Sequence, residues 1–105
     1  MWFEIRRETA QPGRGQELAQ WMEQQVIPLH QAGGMTVVGS FVDADDPDAF
    51  VWIRRFEDAE DRQAIVERVH QDPAFEAEVG ARSRELLAGE AVTVRLVPTA
   101  GSGLA

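Results

Sequence analysis

The hydrophobic pattern of this chain switches repeatedly between a period of two and the helical period, and the order of the switches limits the possible folds. Residues 2–9, WFEIRRET, alternate: Phe3 and Ile5 fall on one side, Trp2, Glu4, Arg6 and Glu8 on the other, which predicts a strand. After a break at Pro12-Gly13, apolar residues recur in steps of three and four at Leu18, Trp21, Met22, Val26 and Leu29, so residues 16–31 predict an amphipathic helix. Pro28 is expected to kink its last turn, and Gly33-Gly34 to end it. Residues 35–42, MTVVGSFV, and 49–56, AFVWIRRF, predict two strands joined as a hairpin by the polar turn 43–48, DADDPD. Asp58 and Asp61 mark a helix start; that helix runs to about His70, Pro73 interrupts it, and a second piece covers about 74–88 before Gly89 stops it. Residues 91–97, AVTVRLV, predict the fourth strand. The order β-α-β-β-α-β is that of a ferredoxin-like α+β domain, whose helices cover one sheet face only. Residues 1–97 are expected to form it, with 98–105, PTAGSGLA, as a flexible C-terminal tail of low apolar content.

Composition removes several classes of chemistry. A chain of 105 residues supports one modest core. A net charge of −8 argues against nucleic acid as a partner. All ten basic residues are Arg, so Schiff-base chemistry on Lys is excluded, and the absence of Cys excludes disulfides, thiolate catalysis and thiolate-bound metals. DADDPD lacks the Gly and the closing Glu of a calcium loop and reads as a solvated acidic turn. The two histidines, His30 and His70, have no zinc-site spacing, and no dinucleotide, P-loop or Gly-x-Ser-x-Gly pattern occurs. No cofactor and no metal are therefore expected. No apolar run is long enough to span a membrane, and the charged opening MWFEIRRETA is unlike a secretory signal, so no membrane association and a cytoplasmic location are expected.

The two sheet faces differ in character. Phe3, Ile5, Val51, Ile53, Val92, Val94 and Leu96 form an aliphatic face, which is expected to lie under the helices. Trp2, Glu4, Arg6, Glu8, Phe50, Trp52, Arg54, Phe56 and Arg95 form a mixed face, which is expected to meet a second subunit around a cleft, because clustered exposed aromatics mark an interface or a pocket. Arg54 should be held there by Glu4 or Glu8 across the strands. Two readings of these arginines stand: a charge network that fixes dimer register, or a site for an anionic or polar ligand. His30, at the end of the first helix, reads either as a cation at the helix terminus or as a general base opening onto the cleft. Trp21 and Met22 read as core.

The stretches FEIRRETAQPGRGQEL and FVWIRRFEDAEDRQAIVERVHQDPAF, in this element order, resemble the NIPSNAP family of the dimeric α/β-barrel superfamily over residues 2–97. Arg6, Pro12 and Gly13 match its first-strand pattern, and Phe50, Val51, Trp52, Ile53, Arg54, Phe56 and Arg62 match its third-strand pattern and the helix start after it. Where many members carry a Tyr after the first-strand Arg, this chain has Glu8, and it contains no Tyr, so a phenolic proton donor is missing. The resemblance implies a homodimer whose two sheets close into a barrel. It also implies a cleft for a small polar or aromatic molecule, used by a cofactor-independent oxygenase, isomerase or cyclase, or by a non-catalytic binding or partner-binding dimer. On this reading His30 is the catalytic candidate, and Arg6, Trp52 and Arg54 are the substrate-binding candidates.

Overall fold

The computed structural model describes residues 1–104. The elements in chain order are β1 (Trp2–Thr9), α1 (Gly15–Trp21), a π-helical turn (Met22–Val26), α2 (Ile27–Ala32), β2 (Thr36–Asp43) and β3 (Asp46–Phe56). They continue with α3 (Ala59–Gln71), a second π-helical turn (Phe75–Gly80), α4 (Ala81–Leu86) and β4 (Val92–Leu96). The strands form one antiparallel sheet in the order β2-β3-β1-β4, so β1 and β3 lie at its centre. This is the ferredoxin-like α+β arrangement expected from the sequence. Among the described residues, no helix is long and apolar enough to cross a membrane.

Two local features differ from expectation for identifiable reasons. Pro28 lacks an N–H, and the helix adjusts one turn earlier than the expected kink: Met22–Val26 widens into a π turn, with the Ile27 N–H bonded to the Met22 carbonyl. The acidic turn is shorter than 43–48, because Asp43 pairs with Asp46 and β3 begins there. Its carboxylates have partners. Asp43 and Asp46 hold Arg7 at 2.6 and 3.5 Å. Asp48 accepts from the Gly13 and Gly15 N–H groups, each at 3.0 Å, and so serves the donors that open α1. At the second helix start the expected cap is present: Asp58 accepts from the Asp61 N–H at 2.7 Å, and Asp61 accepts in return from the Glu57 N–H at 3.0 Å.

The assignment of the faces is reversed. The helices cover the mixed face: Phe50, Trp52 and Phe56 are buried with Leu18, Met22, Val26, Ile65, Val69 and Leu86 in one core. The aliphatic face is the open one, with Phe41 55 % and Val92 61 % exposed and Val94 and Leu96 also open. The physical reason is volume and pairing. The large rings fill the space between sheet and helices, and the charged groups among them neutralise one another, so the mixed face can be buried. Purity of apolar composition was the wrong guide. Pro98, Ser102 and Leu104 reach over the open face and, with Phe3, Ile5 and Ile53, line a depression of about 270 Å³.

The entry to α1 sets a severe steric limit. A Cβ on Gly15 would lie 1.8 Å from the Pro47 carbonyl oxygen and 2.8 Å from the Asp48 Cα, both backbone atoms. Gly15→Ala is expected to lower stability by about 1–3 kcal/mol, read as a fall in the urea midpoint with the m-value unchanged.

Candidate functional site

The charged groups of the mixed face are ordered by strand register. Glu4 on β1 lies directly opposite Arg54 on β3, and their side chains form an ion pair. Glu4 is 0 % and Arg54 4 % exposed. The second Glu4 oxygen accepts from Arg62 Nε at 3.0 Å, so the first turn of α3 is tied to the centre of the sheet. Arg95 Nε on β4 lies 3.6 Å from the same oxygen. Burial opposes ionisation of Glu4 and is the largest single influence, but Arg54 and Arg62 together outweigh it and hold the carboxyl below its usual value. Of the two acids expected to hold Arg54, Glu4 does so; Glu8 accepts instead from Arg6 Nε at 3.2 Å.

Trp52 sits beside this network. It is opposite Arg6 in the register, and the Arg54 guanidinium lies 5.0 Å from its ring centre, a cation–π distance. His30 meets the Trp52 ring edge-on at 5.2 Å and Phe75 at 6.4 Å. The His30 Nδ1 donates to the Val26 carbonyl at 2.7 Å, which fixes the neutral tautomer and leaves Nε2 as the acceptor. Burial is the main cause that lowers the His30 imidazole to about 4, with Arg54 and Arg6 adding to it against the Val26 bond. His30 is therefore not a cation at the helix end. It is a buried neutral ring in α2.

All four candidates, Arg6, His30, Trp52 and Arg54, line one cavity of about 300 Å³ between the sheet and its own helices. The cavity is thus lined by the sheet and helices of a single chain. Trp21 and Met22 belong to the core as expected and also contribute to the cavity wall. Sequence reasoning did not place Arg62, Phe75 and Val79 there. The signals were the first-turn position of Arg62 after the Asp58 cap, and the i, i+4 spacing of Phe75 and Val79. Trp21 Nε1 reaches the Glu78 carbonyl at 3.4 Å and links the two helical layers. Among the described residues, no three His, Asp or Glu side chains come together as a metal site.

A ferredoxin-like α+β domain with a polar and aromatic cavity under its helices is the class that fold and site define. The NIPSNAP family model matches residues 3–102, and the chain belongs to that family. Among solved structures, a NIPSNAP family protein from Agrobacterium tumefaciens is 24 % identical with a TM-score of 0.88, over 100 % of this chain and 94 % of that one. A NIPSNAP domain protein from Burkholderia xenovorans is 19 % identical with a TM-score of 0.85, covering 97 % of this chain and 98 % of its own. An antibiotic biosynthesis monooxygenase is 18 % identical with a TM-score of 0.67, over 94 % of this chain and 99 % of that one. These likenesses establish the shared fold. No curated protein matches the chain.

The depressed His30 value has a consequence for stability. Between pH 6.5 and about 4 the unfolded chain binds a proton at His30 that the folded chain does not, so this contribution is complete above pH 6.5 and is lost as pH falls toward 4. At about 1.4 kcal/mol per pH unit, the loss over that window is about 3 kcal/mol. Urea titrations at pH 7 and 4.5 should show the fall in the native chain and a smaller fall in His30→Gln.

Proposed function

We propose that this protein is a homodimer that binds a small polar or aromatic molecule in the cavity between its sheet and helices. The observation that carries the reading is the convergence of Arg6, His30, Trp52 and Arg54, from two strands and a helix, on one cavity of about 300 Å³. That volume lies at the small end of the range for ligand sites, and a mostly apolar lining with a few placed polar groups is the usual composition of such sites. Trp21, Phe75 and Val79 supply the apolar part.

Binding has more support than proton-transfer catalysis. A cofactor-independent oxygenase, isomerase or cyclase needs a base, and His30 Nε2 is the candidate. The burial that keeps His30 neutral also places its conjugate acid near 4, about three units below neutral pH, which makes a weak general base. The same ring is well suited to accept a hydrogen bond from a ligand. Titration of the protein with benzoate, benzyl alcohol, benzamide and acetophenone, followed by ¹H–¹⁵N NMR, tests the site. Saturable shifts should cluster at His30, Trp52, Phe75 and Val79. They should weaken in Arg54→Lys, which keeps the charge and loses the planar fork, and in Arg6→Gln, which leaves the buried Glu4 pair intact. Absence of shifts at these positions with all four compounds would remove the reading.

The dimer reading moves to the aliphatic face. Phe41, Val92, Val94 and Leu96 are exposed on this face, next to the part-buried Ile5, Val51 and Ile53 and with no helix over them, and a second copy of that sheet offers the matching apolar partner. Light scattering at micromolar concentration should give twice the chain mass. Val94→Asp, at a residue exposed in the single chain, should yield a folded monomer. A monomeric mass for the native protein would refute the dimer and leave the cavity unaffected.

A further inference from the structure

Two buried N–H groups, on sheet residues that line the cavity, have no acceptor. Trp52 Nε1 and Arg54 Nε are both buried without a hydrogen-bond partner, in residues 1 % and 4 % exposed. Arg54 spends Nη2 on Glu4, which leaves its Nε edge over. An unpaired buried donor costs about 1–3 kcal/mol, and native interiors carry few of them. Here two lie on residues separated by one position on β3, on the same face, both lining the cavity. Charge has the same bias. Arg6, Arg54 and Arg62 line the cavity against Glu8 alone. Counting the buried Glu4 as well still leaves a single positive charge in excess, in a chain of net charge −8. A bound phosphate dianion would overcompensate that excess, and a neutral molecule would leave it unanswered.

Resting on the cavity as the ligand site, we propose that its occupant is a small planar monoanion whose oxyanion, a carboxylate or an enolate, accepts from Trp52 Nε1 and Arg54 Nε. Its apolar body lies against Trp21, Phe75 and Val79. Charge-assisted bonds to an oxyanion are roughly twice as strong as neutral ones, and the guanidinium edge suits that geometry. The Trp52 N–H is the specific element: it discriminates by an acceptor at one fixed point of the wall, and the ring around it, stacked with Arg54, sets the plane of the ligand.

The test compares benzoate, benzyl alcohol and inorganic phosphate by ¹H–¹⁵N NMR, with the Trp52 indole resonance assigned by its loss in Trp52→Phe. Benzoate should move that resonance downfield saturably, raise the pH at which His30 titrates, and bind at least tenfold more tightly than benzyl alcohol. Trp52→Phe keeps a ring and deletes the N–H; it should weaken benzoate roughly tenfold and weaken benzyl alcohol by a clearly smaller factor. Equal affinities for benzoate and benzyl alcohol, with shifts at Phe75 and Val79, would overturn the oxyanion assignment and leave the cavity standing as a ligand site. Displacement of benzoate by phosphate that strengthens from pH 6 to pH 8, as the dianion replaces the monoanion, would overturn the monoanion assignment. Cavity resonances that respond to neither organic compound, or benzoate shifts confined to exposed arginines such as Arg84, would overturn both readings.

Discussion

A carboxylate with no solvent exposure organises this domain. Glu4 stands at the centre of the sheet, opposite Arg54 on β3 and beneath Arg62 on α3. Burying one charge there costs several kcal/mol, and the cost is offset only if the partners are close and hydrogen-bonded. Register supplies the first partner, because strand pairing places Arg54 directly across from Glu4. The α3 cap supplies the second: Asp58 fixes where the helix begins, and so where Arg62 in its first turn projects. A slip of one residue in β1 would move Glu4 to the aliphatic face and break both contacts at once. The ion pair therefore specifies register and helix docking more than it adds net stability. The exposed pairs, such as Arg84 with Glu76 at 3.5 Å, specify neither and are worth little.

The same network explains why the cavity lies where it does. Phe50, Trp52, Arg54 and Phe56 share one face of β3, so the three rings pack under the helices while Arg54 among them turns toward Glu4. A cavity remains between the helices and the sheet beside this charged cluster. The π turns at Met22–Val26 and Phe75–Gly80 place Met22, Val26, Phe75 and Val79 around the remaining space. Widened turns of this kind recur at functional sites because they redirect side chains without breaking the helix. His30 follows from the first of them: its Nδ1 is taken by the carbonyl of Val26, the last residue of that turn.

The sequence made the element order, the hairpin, the Asp58 cap and the shared location of Arg6, Trp52 and Arg54 legible, because each depends on local period or on alternation along one strand. It did not reveal which sheet face the helices cover. Alternation divides side chains between two faces and carries no sign that tells them apart. The aliphatic purity of Phe3, Ile5, Val51 and Ile53 suggested a core, yet the rings of Phe50, Trp52 and Phe56 form the core instead. The spacing of Leu18, Met22 and Val26 on the first helical segment fits either face, so it could not correct the error. Arg62 escaped for a different reason: its contact with Glu4 spans 58 residues and depends on helix docking. The protonation state of His30 was likewise out of reach, because it is set by burial among Trp52 and Phe75 and not by its place at a helix end.

A sheet that is polar and aromatic beneath its helices and aliphatic outside separates two tasks that the sequence reading had merged. The proposed ligand site lies on the inner face, lined by residues of one chain. The proposed assembly surface lies on the outer face, through the other set of alternating side chains on the same strands. Adjacent residues therefore belong to different functions: Arg54 faces the cavity and Ile53 the open face, one peptide apart. Each face can change without a direct steric effect on the other, yet both share the backbone of β1 and β3. A movement of Trp52 with its ligand would pass to Ile53 through the strand itself, and strands held by a buried ion pair and a full ladder yield little. In the proposed dimer the two cavities would therefore be expected to bind independently, since coupling between sites needs an element with two alternative arrangements.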